Sequence, residues 1–292
     1  MSAALWVAAA TGVQVGAATV ASRYAVAEVP PLTLAMLRYG IGVLVLLPLA
    51  ARTWPRPWPP ARDLAAMAAL GIAQFGLLIA LLNFGLQHMG AAQAALLFSL
   101  FPLLTLCLAA ALGHERLQPA LLAGVLLSLA GVALALLPKL QAWHGGGWWG
   151  EAAVLAAAGT GAVCSVLYRP YLRRYPVLPV SAFAMLASVA TLALLALHEQ
   201  WPARLATVSA PAWGVVAFIG LSSGIGYWGW LYALKHESPT RVTVFLALNP
   251  LAAALLGWLF LAERPGAATW AGVALIALGL WLATRGPDNR ER

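Results

Sequence analysis

The side chains that could do chemistry here are the few polar ones set inside long apolar runs. Gln14, Gln74, Ser99, Thr160, Ser222, Ser223 and Asn249 each fall near the middle of such a run, and Asn83 falls toward the end of one. A polar group surrounded by apolar residues over about 20 positions must bond to a neighbouring helix or face a wet cavity. The first outcome is worth only ~0.6–2 kcal/mol per contact and is the simpler reading for Ser and Thr. The amides of Gln14, Gln74 and Asn249 favour a cavity, because an amide has several hydrogen-bonding positions to satisfy. Arg38 stands in the outer third of its run. A guanidinium there requires an anion: Glu28, a headgroup phosphate or the carboxylate of a solute. Snorkelling to the interface is the alternative.

Rings accompany these groups: Tyr39, Phe75, Phe98, Tyr168, Tyr227, Trp228 and Trp230. Together they would line a cavity suited to apolar or aromatic solutes, although any single ring can equally pack against a helix or face lipid. Pro102 and Pro250 lie mid-run, where each removes an N–H and frees the carbonyl four residues earlier, on Phe98 and Leu246. Such points line a cavity, bend for gating, or are kinks relieved by neighbouring helices. Cys107 and Cys164, inside apolar runs, read as small buried hydrophobes rather than a disulfide. No ligand-spaced His, Cys, Asp and Glu cluster predicts a metal or cofactor, and no nucleophile motif or Gly-rich phosphate loop points to an enzyme or an ATPase.

The elements that must position these residues follow from composition. Of 292 residues, 62% are hydrophobic and 9% charged. A water-soluble domain cannot cover that much apolar surface, whereas a bilayer solvates it. The net charge of +8 is scattered between runs rather than clustered, which argues against nucleic acid. A helix crosses the hydrocarbon in about 20 residues, and that ruler predicts spans at 4–24, 32–50, 64–86, 91–111, 119–138, 149–168, 179–197, 211–234, 241–261 and 268–284. The first run reads as a spanning helix rather than a cleavable leader, since no basic residue precedes it. With a cytoplasmic N-terminus, Arg52, Arg56, Arg62, Arg116, Arg169, Arg173, Arg174, Lys235, Arg241, Arg285, Arg290 and Arg292 lie inside. Arg23, Lys139, Arg204 and Arg264 lie outside. That asymmetry places both termini in the cytoplasm. Trp54, Trp58, Trp143, Trp148, Trp149, Trp201 and Trp213 fall at span ends, as an interfacial belt.

A shift of 148 residues aligns the halves: Pro31 with Pro179, His88 with His236, Pro102 with Pro250, Glu115-Arg116 with Glu263-Arg264, and Gly124 and Gly131 with Gly272 and Gly279. The glycines, seven apart on one helix face, predict close helix packing, and the two glutamates suit the starts of the helices that follow them. Five spans per half is an odd number, so the second half enters the membrane from the opposite side. The expected architecture is an all-α integral membrane protein of ten transmembrane helices, two inverted five-helix repeats around a central cavity. Residues 1–143 form the first repeat and 144–292 the second.

Arg38, Asn83-Phe84-Gly85-Leu86, the mid-span Pro102, Gly113-His114-Glu115-Arg116-Leu117, Gly124 and Gly131 resemble the EamA-type repeat of the drug/metabolite transporter superfamily. The second half departs from that pattern, with Leu186 opposite Arg38 and Ala262-Glu263 in place of Gly-Glu. The resemblance implies ten helices, the fifth and tenth as outer buttresses, and export of amino acids or other metabolites. The expected function is therefore alternating-access export of neutral or aromatic amino acids across a bacterial cytoplasmic membrane. A broad drug or nucleoside exporter is the alternative, and a channel or membrane enzyme is a rival from another class. All nine acids lie in loops or at helix ends, so facilitated or exchange transport without a proton relay is expected. The expected partners are a small-molecule substrate and the lipid bilayer, with no ATPase subunit; the sequence leaves the oligomeric state open and is compatible with a monomer.

Overall fold

The computed structural model describes residues 2–55, 57–113, 119–141, 148–262, 264 and 266–284. His114 to Leu117, Trp143, Glu263, Arg56 and the C-terminal arginines of the sequence reading lie outside the described residues. The described chain is built from helices: α1 (Ala3–Ala25), α2 (Pro31–Arg52), α3 (Ala61–His88), α4 (Ala91–Ala111), α5 (Pro119–Gln141), α6 (Trp149–Arg174), α7 (Val177–Glu199), α8 (Ala210–His236), α9 (Arg241–Leu261) and α10 (Ala267–Thr284). Alanine, leucine and valine runs satisfy their own backbone hydrogen bonds as helices, which apolar surroundings demand. Proline opens many of them, at the first turns of α2, α8 and the segment leading into α9, where its missing N–H costs nothing. Ser2, Ser209 and Ser238 cap α1, α8 and that segment with side-chain oxygens.

Among the described residues, α1, α2, α3, α4, α6, α7, α8 and α9 are long and apolar enough to cross a membrane. The apolar stretches recognised in α5 and α10, Leu122–Gly131 and Ala267–Gly279, are shorter. The outer surface carries large apolar side chains such as Leu44, Leu194, Trp258 and Phe260, each more than half exposed. Water would not tolerate that array, and lipid would. Trp58, Trp148 and Trp149 are exposed at helix ends. Cys107 is exposed rather than buried, because it sits on the outer face of α4, and Cys164 is buried; neither is in a disulfide.

Packing follows a pattern of exchange. Helix α1 packs on α8 and α9, and α6 packs on α3 and α4 in the same way. Helix α2 lies against α8 as α3 lies against α7, while α2 pairs with α7 and α5 with α10. Glycine makes the closest approaches possible. A Cβ at Gly224 would sit 3.0 Å from the Gly42 Cα, so α2 and α8 meet backbone to backbone. A Cβ at Gly131 would meet the Gly272 carbonyl at 2.6 Å, and one at Gly279 the Gly124 carbonyl at 2.4 Å. The seven-residue glycine spacing is therefore the seam between α5 and α10.

Candidate solute cavity

Three local departures from α-helix shape the centre. In α3, residues Ile72–Leu77 form a π-helical turn, which offsets the side chains around Gln74 and Phe75. In α4 the helix breaks between Phe98 and Phe101, immediately before Pro102. The counterpart before Pro250 is a 3-10 turn, Phe245–Ala247, between Val244 and Leu248. Each proline thus sits in the first turn of a resumed helix, where its ring is tolerated.

These breaks flank a cleft of about 600 Å³ counting its open mouth, lined from six helices. Helix α1 contributes Thr11, Gln14, Val15 and Thr19; α2 contributes Arg38 and Tyr39; α3 contributes Gln74, Leu78, Ile79 and Leu82. Phe98 and Phe101 come from α4, Ser223, Gly226, Tyr227 and Trp230 from α8, and Leu246 from the break in α9. Arg38 is the sole charged residue among them. Its side chain is 6% exposed, and its Nε donates to Ser223 Oγ at 2.7 Å. The guanidinium carbon lies 5.4 Å from the Tyr39 ring centroid. Glu28 does not pair with it. That carboxylate instead accepts from the backbone N–H and hydroxyl of Ser209, both at 2.9 Å, capping α8.

Two groups of rings stand at the cleft, with Phe75 buried behind its lining. Tyr39, Phe75 and Tyr227 stack edge to face, with centroids 4.6 Å and 4.1 Å apart. Phe98, Phe101 and Trp230 follow at 5.4 Å and 6.1 Å. Between them the amides are unequally occupied. Gln14 Nε2 donates to Ser222 Oγ at 3.2 Å, whereas Gln74 Oε1 has no partner.

Gln14, Arg38, Tyr39, Gln74, Phe98, Ser223 and Tyr227, read from the sequence as candidates, are thus brought together. The other candidates are placed elsewhere. Asn83 is fully buried and donates to the Pro31 carbonyl at 3.0 Å, tying α3 to the start of α2. Ser99 bonds the Leu96 carbonyl of its own helix, and Thr160 bonds Ala156 at 2.9 Å. Ser222 stands behind Gln14, Trp228 is 40% exposed beside Tyr232, and Asn249 is buried off the cleft with neither amide atom bonded. Sequence reading passed over Thr11, Thr19 and Phe101, and it ranked Trp230 only among the rings. Spacing was the available signal: Thr11 is three residues before Gln14, Phe101 three after Phe98 and Trp230 three after Tyr227, on shared helix faces.

At the helix ends, hydrogen bonds tie the bundle. Glu199 accepts from the Leu32 and Thr33 backbone N–H groups at 3.0 and 2.7 Å, capping α2. Ser2 donates to Glu237 at 2.6 Å, and Tyr175 donates to Asp63 at 2.5 Å, with Arg174 3.6 Å from the same carboxylate. Donation to that carboxylate, foremost, raises the Tyr175 hydroxyl above its ordinary pKa.

The model of the EamA-like transporter family matches the chain twice, over residues 1–137 and 148–285. This chain belongs to the EamA-like transporter family. It is 27% identical over 276 residues to an uncharacterized transporter of Archaeoglobus fulgidus, covering 92% of this chain and 94% of that one. It is 32% identical over 235 residues to a probable terminal-alkyne amino-acid exporter of Streptantibioticus cattleyicolor, covering 80% and 77%. A protein of known crystal structure superposes with a TM-score of 0.75 at 26% identity, over 97% of each chain. The protein is a multi-pass membrane transporter of the drug/metabolite superfamily and not an enzyme.

Proposed function

We propose that this transporter exports small metabolites, neutral and aromatic amino acids first among them, by alternating access of the central cleft between two inverted five-helix repeats. The observation that carries the reading is the cleft itself: one guanidinium, a few neutral acceptors and two walls of aromatic rings. Charge fixes one end of a solute and apolar burial takes the rest. The relative named for amino-acid export supports the substrate class.

Several observations support the ten-span inverted arrangement. The family match occurs twice, and the packing of α1, α2 and α3 is exchanged for that of α6, α7 and α8. Ten alternating crossings also put both partners of every end-to-end tie on one side. Ser2 with Glu237 and Asp63 with Tyr175 share the N-terminal side, while Glu28 with Ser209 and Glu199 with Thr33 share the other. The basic residues favour a cytoplasmic position for both termini, in a bacterial inner membrane. Among the described residues no carboxylate lines the cleft, which supports facilitated or exchange transport rather than proton coupling. In this reading Pro102 and Pro250 mark the bending points, since both lie at helix breaks beside the cleft.

Purified protein in proteoliposomes tests the substrate class with labelled phenylalanine, leucine, a nucleoside and a cationic dye. Saturable phenylalanine flux, accelerated by unlabelled amino acid on the far side, is the expected result. Movement of the dye or nucleoside alone would transfer the reading to a broad exporter. Single-channel currents would sink the carrier mechanism.

A further inference from the structure

Among the described residues, no acid pairs with the Arg38 guanidinium. Its Nε is committed to the neutral hydroxyl of Ser223, and no described residue bonds its two Nη groups. The described acids at that end of the bundle are otherwise engaged: Glu28 caps α8 through Ser209, Glu199 caps α2 through Leu32 and Thr33, and Glu151 accepts from Gln93. A buried guanidinium without an anion is costly, and the cost is relieved by whatever anion enters beside it. The Ser223 bond leaves the edge formed by the two Nη groups free, and that edge matches a carboxylate with two parallel hydrogen bonds.

The opposite charge has no such reader. Among the described residues no Asp or Glu lines the cleft, and its unpartnered oxygens are neutral, Gln74 Oε1 and the Tyr227 hydroxyl. An ammonium group therefore gains at most a neutral hydrogen bond and a ring face, while it is repelled by Arg38. Three solute types with one side chain then differ sharply. A monocarboxylate brings the cleft to net neutrality, a zwitterion leaves one positive charge, and an amine leaves two.

Resting on the transport reading above, we propose that the cleft selects its solutes as carboxylates through Arg38 alone. It accepts amino acids and the corresponding deaminated acids, and it refuses the corresponding amines. The aromatic walls then sort by side chain, favouring planar or bulky apolar groups.

Competition against labelled phenylalanine flux in proteoliposomes tests this with 3-phenylpropionate and phenethylamine, which share the ring. Thermal stabilisation of the purified protein by the same two compounds gives a readout independent of flux. The acid is expected to compete at least as well as phenylalanine, and the amine at a concentration higher by about tenfold or more, the ratio set by one charged hydrogen-bonded contact. Arg38→Gln should erase the preference, and Arg38→Lys, which keeps the charge, should retain most of it and shows that the site folds. Equal competition by acid and amine in the wild type overturns the inference, as does a preference that survives Arg38→Gln. If vesicles move no amino acid while the purified protein still separates acid from amine through Arg38, the export reading falls and the carboxylate site stands. If amino acids move and the amine competes equally, the carboxylate site falls and the export reading stands.

Discussion

Residue 38 and its counterpart 186, one repeat length of 148 residues later, start from the same place in α2 and α7 and end in opposite surroundings. Arg38 is 6% exposed and bonded to Ser223, whereas Leu186 is 44% exposed and outside the cleft. The same divergence recurs along the repeat. Phe75, a ring between Tyr39 and Tyr227, corresponds to Ser223, which holds the guanidinium; Phe101 in the cleft wall corresponds to Asn249, buried away from it. The helix breaks before Pro102 and Pro250, by contrast, fall at matching positions. The breaks before the prolines are duplicated, but the π-helical turn of α3 has no counterpart in the continuous helix α8, and the side-chain chemistry differs at these positions. In the proposed alternating-access reading, two conformations require similar packing in both halves, whereas one solute carboxylate is read once.

The comparison breaks first at Arg38. Arg38→Ala should lower flux of carboxylate solutes by about 2 kcal/mol or more, roughly thirtyfold, because it removes a charged contact. Leu186→Ala should leave flux near wild type, and equal losses from the two substitutions would make the halves chemically alike. Next in size is the α2–α8 contact. Gly224→Leu should destabilise the purified protein by about 1–3 kcal/mol, seen as a lower Tm, since the side chain would enter the Gly42 backbone. Gly214→Leu, where nothing lies within 4 Å, serves as the control on the same helix. Pro102→Ala and Pro250→Ala should each slow turnover with little change in half-saturation, and by similar factors if the breaks act as a matched pair. Transport rates in proteoliposomes check this, and a large effect at one proline alone would end the symmetry of motion.

The smallest effect is expected at the tie between α3 and the turn after α6. Tyr175 holds its proton more tightly when donating to Asp63, so its folded-state pKa lies above the ordinary phenol value of 10.0. The contribution of that bond is complete below pH 10, and it is lost as the pH rises through the higher folded value. Asp63→Asn should return the phenol toward its ordinary pKa, readable by ultraviolet titration, with little change in flux at neutral pH. The side of the membrane bearing this tie also sharpens the comparison. Labelling should place the loop around Arg173 and the C-terminal tail together, and opposite sides would break the inverted arrangement.

Much of this protein was legible before any folding was considered. Each predicted span falls within a helix, because apolar length fixes where a backbone can satisfy itself in lipid. Arg38, Gln14 and Gln74 stood out because polar groups in apolar runs are costly wherever they face. Facing itself was not legible. Nearly uniform apolarity erases the periodic contrast that tells one side of a helix from another, so Ser99, Thr160 and Trp228 looked as eligible as Ser223 and Tyr227. The π-helical turn in α3 rotated Gln74 and Phe75 without any sign in composition. Sequence determined the number and order of apolar runs, the prolines that interrupt them and the glycines at which backbones meet. Only the tertiary structure decided that Glu28 and Glu199 cap helices and do not pair with Arg38, because which acid reaches which base depends on long-range packing across residues far apart in the chain.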